Sequence, residues 1–180
     1  RRTRRAEALR GGPTDGGRRV SERLAFDPDD LAGVIDLFGA LTPAELESAL
    51  EELAFKRGGS VDTEAVETAV NDAVASFAVV RYQGDGRTLL APGPTAFPTL
   101  PPNAEDLPHI LDVPDRDVDR EAAGAAVAER LTSAAASAAE TGDEAEIRRL
   151  LDVTYDVEVW SDAVAVDEVR GRLDDALDDA

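Results

Sequence analysis

A chain of 180 residues is long enough for one medium domain or two small ones, and a hydrophobic fraction of 43% can bury a core. The absence of cysteine excludes disulfides, thiolate nucleophiles and cysteine-ligated zinc, and no apolar run approaches the roughly 18–20 residues of a membrane span. The 38 acidic residues against 19 basic ones leave a net charge of −19, which repels itself in dilute buffer and is screened at molar salt, where the Debye length is about 3 Å; a halophilic, salt-filled cytoplasm is therefore expected.

Residues 1–23 hold eight Arg and three acids, a net of +5, while the remainder carries −24. Gly11, Gly12, Pro13, Gly16 and Gly17 interrupt this stretch and no apolar period runs through it, so it reads as a disordered basic arm. Such an arm suits a nucleic-acid-binding tail. The other reading starts translation near Val20, where the composition changes, and makes 1–19 an over-extended reading frame in a sequence that has no Met. No apolar segment of the signal-peptide kind follows the arginines, in keeping with a cytoplasmic protein.

Asp27-Pro28-Asp29-Asp30 supplies an N-cap, a proline at the first helical position and an acid at the third. Leu31, Val34, Ile35 and Phe38 follow at helical spacing and Gly39 ends the helix. Thr42-Pro43-Ala44-Glu45 is a capping box for a second helix with Leu46, Ala49, Leu50, Leu53 and Ala54 on one face, stopped by Gly58-Gly59. Asp62 caps a third, whose stripe is Val66, Ala69, Val70, Ala73, Val74 and Phe77. The period then changes: 78–82 and 87–91 read as strands joined by Gln83-Gly84-Asp85-Gly86, with the Asp-Gly signature of a hairpin turn. Three short helices followed by a hairpin is the order of a winged helix-turn-helix, spanning residues 24–91.

Seven of the ten prolines fall within 92–114, so 92–116 is expected to be an extended connector, neither helix nor central strand. Phe97, Leu100, Leu107, Ile110 and Leu111 imply that it lies against a core. From about Asp117 to about Glu140 runs a fourth helix with an Ala-rich apolar face that includes Val127 and Leu131. Thr141-Gly142-Asp143 breaks and recaps the chain. Ile147, Leu150 and Leu151 mark a fifth helix. Val153, Tyr155, Val157 and Val159 alternate like a strand, yet Leu151, Tyr155 and Val159 also fit a helix that continues past 151; the continued helix, forming a helical hairpin around Gly142, is the preferred reading. A last helix covers about 167–178. The fold class is mainly α: a winged-helix-like unit of three helices plus a hairpin, then an α-helical C-terminal half over 117–180.

Three stretches carry a family likeness: Asp30-Leu31-Ala32-Gly33-Val34-Ile35-Asp36-Leu37-Phe38-Gly39-Ala40-Leu41-Thr42, Gly93-Pro94-Thr95-Ala96-Phe97-Pro98 and Pro108-His109-Ile110-Leu111-Asp112-Val113. Through them the chain resembles an uncharacterised haloarchaeal family, a domain of unknown function, over about residues 24–178. The resemblance implies a haloarchaeal origin and a soluble intracellular protein, and it implies no catalytic residue.

The inventory for catalysis is short. His109, the only histidine, lies in the connector with no signalled nucleophile or orienting group, so a packing or turn role is expected rather than a general base. Asp115, Asp117 and Asp119, with Asp112 before them, have the spacing of a calcium loop, but Arg120 and Ala126 stand where an EF-hand needs Gly and Glu. A solvated acidic surface with an N-cap for the fourth helix is expected. No phosphate-binding glycine loop is present. Arg148, Arg149, Arg170 and Arg172, set among acids, are expected to form surface pairs.

In a winged helix the third helix enters the DNA groove. Here its polar positions are Asp62, Glu64, Glu67, Asn71 and Asp72, which phosphates repel. Arg81 and Arg87 on the hairpin are the only nearby cations and, together with the basic arm, are the candidates for nucleic-acid contact. The expected role is a non-enzymatic interaction or regulatory module that docks a protein partner, with no cofactor, no metal and no membrane. A winged-helix DNA-binding regulator is the alternative.

Overall fold

The structure is a computed structural model and describes residues 24–178; the basic arm and its two readings lie outside these residues. Helices dominate, with one antiparallel hairpin after the first three. No helix among the described residues is long and apolar enough to cross a membrane.

Helix α1 (Pro28–Asp36) begins as its capping residues dictate: the Asp27 carboxylate accepts from the Asp30 amide at 2.8 Å, and Asp30 reaches back to the Asp27 amide. It ends in a turn at Gly39, whose φ of +73° takes the left-handed region that suits glycine. Leu41 then pairs in a two-bond antiparallel bridge with Leu90 before α2 (Pro43–Lys56) starts from the Thr42–Glu45 capping box. The Asp62 side chain caps α3 (Thr63–Ala75). Strands β1 (Val79–Gly84) and β2 (Arg87–Pro92) form the hairpin. Its strands run closer to the tip than expected, leaving a two-residue turn, Asp85-Gly86, with both residues at positive φ as the twist of a tight hairpin demands.

The predicted apolar stripe of α3 needs one correction. Phe77 lies beyond the helix at φ +66°, and its ring packs in the core of the C-terminal half rather than with Val66, Val70, Ala73 and Val74. The chain must reverse between α3 and β1, and this residue makes the reversal, leaving the helical face it continued in sequence.

Alternation along the hairpin divides the interior in two. Val79 and Leu90 face α1–α3, together with Leu31, Ile35, Leu46, Leu50 and Leu53. Val80, Tyr82, Leu89 and Ala91 face the other way, onto α5 (Arg120–Thr141), α6 (Glu144–Trp160) and α7 (Asp167–Asp178). The hairpin is thus a wall shared by both halves. The α5–α6 turn is made at Gly142, φ +64°, and α6 continues through 153–159 as a helix. Its strand-like alternation gives way because Val153 and Val157, at helical spacing, are the residues buried; Tyr155 and Val159 are exposed.

The connector is not wholly extended. A 3₁₀ turn (Ala104–Asp106) leads into the one-turn helix α4 (Leu107–Ile110), which tolerates Pro108 because it sits in the first turn, where its missing N–H would have no helical partner. Its anchors also differ from expectation: Pro101, Ala104 and Leu107 are buried and Leu111 is half-buried, while Phe97, Leu100 and Ile110 are exposed. Backbone bonds set its course. The Thr99 amide donates to Asp29 O at 3.0 Å, and a Cβ on Gly33 would lie 1.9 Å from Thr99 O, so only glycine lets the connector cross α1 this closely.

Candidate interaction site

The third helix presents Glu64, Glu67, Asn71 and Asp72 to solvent, as its sequence implied. Beside it, Pro43, Ala44, Thr63, Val66, Val70 and Thr88 line a groove of about 480 Å³ between α2, α3 and the hairpin. Its apolar floor comes from the edge of the α1–α3 core. Glu47, Glu67 and Arg81 stand around it.

Both arginines singled out in the sequence are exposed, but the fold separates them. Arg81 lies on the strand face shared with Val79, toward α3, and its guanidinium donates to Asn71 Oδ1 at 2.9 Å. Arg87 pairs with Gly84 next to the turn, on the alternation shared with Leu89 and Tyr82. The two therefore leave the hairpin on opposite faces. No ion pair involves either among the described residues.

Other candidates scatter. His109 is exposed on α4. Asp112, Asp115, Asp117 and Asp119 are exposed, and Asp119 caps α5 by accepting from the Ala122 amide at 2.9 Å; the helix starts at Arg120, slightly later than expected. No cluster of His, Asp and Glu suited to a metal is found among the described residues. A larger concavity of about 910 Å³ lies between the start of α5 and the α6–α7 loop; Gly124, Ala125, Ala128, Trp160 and Val164 form its apolar part, and Arg120, Glu121, Ser161 and Asp162 also line it.

Two polar constellations escaped the sequence reading. Arg116, at the end of the connector, donates to both Glu45 oxygens at 2.7 Å and to Ala40 O at 3.0 Å. The hydrogen-bonded guanidinium lowers the Glu45 pKa to about 2. Arg170 forms the expected pairs, with Glu158 and Asp167, but goes beyond them: largely covered, it bridges α7 to α6 by donating to Thr154 Oγ1 at 3.1 Å and lies 4.6 Å from the Tyr155 ring centroid. The Arg116–Glu45 contact and the Arg170 bridge to Thr154 and Glu158 join separate elements, and neither leaves a local signal. Arg148 and Arg149 do form the expected surface pairs, with Glu144 and Glu146.

A family model described as a family of unknown function, DUF7109, matches residues 29–178, nearly all of the described chain. The chain belongs to DUF7109. Neither a curated protein nor a solved structure matches it. The matched region of this DUF7109 member takes in α1–α7, the hairpin, the groove and the Arg116–Glu45 pair, and leaves out the arginine-rich start.

Proposed function

We propose that this DUF7109 member is a non-enzymatic, halophilic cytoplasmic protein whose winged-helix-like N-terminal unit docks a protein partner through the groove between α2, α3 and the hairpin. The observation that carries the reading is the outward face of α3: Glu64, Glu67 and Asp72 with no Lys or Arg, where a DNA-reading helix needs cationic donors. The winged-helix description draws support from the Leu41–Leu90 bridge, which adds a short third strand position between α1 and α2 at the edge of the hairpin. The halophilic description draws support from the excess of 38 acids over 19 bases.

Affinity purification from a halophilic host in molar KCl tests the docking reading, with Ala44→Arg, an exposed groove residue, as control. A partner held by the wild type and lost from the variant is expected; a chain that emerges alone, or a partner held equally by both, removes the reading. The DNA alternative draws on Arg87, exposed beside the hairpin tip. Sequence-specific gel retardation in molar KCl, lost on Arg87→Gln, would put it first.

A further inference from the structure

We propose that the groove takes a cationic segment of another protein, one with an apolar side chain for the floor and Arg or Lys on either side of it. This rests on the docking reading above and names the partner's chemistry. The floor is aliphatic: Val66 and Val70 at its base, Pro43 and Ala44 along the α2 side. Glu47 on α2 and Glu67 on α3 stand over it, and neither forms an ion pair among the described residues. Arg81, the one cation lining it among the described residues, is held by Asn71 and keeps its charge. Two carboxylates against one guanidinium leave the lining anionic, and an anionic lining beside an apolar floor favours a segment of the opposite charge over an acidic one.

Salt narrows the places where a cationic segment can be held. In molar salt the field of the whole anionic surface dies within about 3 Å, so carboxylates on open surface attract little. Contact pairs beside an apolar floor that a bound segment covers keep more of their strength, because the covered floor excludes the solvent and ions that screen them. The groove, rather than the acidic surface at large, is therefore where a cationic segment is held.

The test is fluorescence anisotropy of a labelled synthetic peptide, leucines at helical spacing flanked by arginines, titrated with the full chain in molar KCl. A counterpart with Glu in place of every Arg is the control. The arginine peptide should bind and the glutamate peptide should not. The double variant Glu47→Gln/Glu67→Gln should weaken binding about tenfold, the effect of two partly exposed ion pairs, with an unchanged melting curve. Equal binding of the two peptides, or unchanged affinity in the double variant, overturns the proposal. So does binding that appears only when the arginines within residues 1–23 are replaced by Gln, since the chain's own start would then be the occupant. If the purified partner is lost from Ala44→Arg while the arginine peptide fails to bind, the docking reading stands and the cationic assignment falls.

Discussion

Arg116 and Glu45, separated by 71 positions in sequence, meet in a two-pronged ion pair with both N···O distances at 2.7 Å. The same carboxylate accepts from the Thr42 amide at 2.7 Å, so the group that completes the α2 cap also fastens the connector. Close by, the Arg116 amide donates to Phe38 O at 2.9 Å, and a Cβ on Gly39 would lie 1.9 Å from Arg116 O. Backbone and side chain thus lock the entry to α5 against the α1–α2 turn.

Separating the two charges should reveal their coupling. Arg116→Ala and Glu45→Gln are each expected to destabilise the fold, and the double variant by less than the sum. The coupling is expected at about 2 kcal/mol, between the values for exposed and buried pairs. Denaturant titration of the four proteins at constant KCl measures it, and additive effects would show that the pair contributes nothing of its own.

The pair also sets an acid limit. The Glu45 pKa falls from 4.5 to about 2 in the folded chain, chiefly through its bonds to Arg116. A depressed carboxylate pKa stabilises the native state at pH values above the unfolded pKa, and that contribution is lost as pH falls through the folded one. Stability should therefore drop between about pH 4.5 and 2. The drop should be smaller in Arg116→Ala, as read by melting curves across that range at fixed salt.

Two glycines should answer oppositely to alanine. Gly33→Ala drives a methyl against Thr99 O and should cost more than about 2 kcal/mol, because the backbone of the connector must lift. Gly171, exposed within α7, has nothing within 4 Å of its Cβ position, and Gly171→Ala should stabilise by about 0.5–1 kcal/mol through helix propensity alone. Melting temperatures of the two variants test both.

The Tyr82 hydroxyl is buried on the hairpin face toward α5–α7, without a hydrogen-bond partner among the described residues. Burial raises its pKa. Tyr82→Phe removes a desolvated polar atom and keeps the ring, so stability should be unchanged or higher by up to about 1 kcal/mol. A loss larger than that would reveal a bond that the hydroxyl makes in solution.

Salt should govern folding. Residues 24–180 carry a net charge of −24, and raising KCl from dilute buffer to the molar range should raise the melting temperature steadily as repulsion is screened. Full cooperative folding in salt-free buffer, followed by circular dichroism, would mean that the carboxylates serve something other than solvent adaptation.

The elements were legible wherever local chemistry decides them. Asp27, Thr42, Asp62, Asp119 and Asp143 all cap helices through their own side chains, and Asp85-Gly86 makes the hairpin turn. Phe77 leaves the α3 stripe because a residue two positions beyond a helix end extends the apolar period in sequence whether or not the backbone continues. Within the site, the acidic face of α3 could be read directly, whereas the opposite facing of Arg81 and Arg87 follows from the hairpin register.

By itself, then, the amino-acid order determined the caps, the helices outside the connector, the hairpin and the anionic surface, since each depends on groups within a few positions of one another. Only tertiary structure decided that the hairpin is covered on both faces, that Gly33 and Gly39 are contact points for the connector, and that Arg116 belongs with Glu45. Those features arise when surfaces far apart along the chain are pressed together to leave water, and no short window of sequence contains both partners.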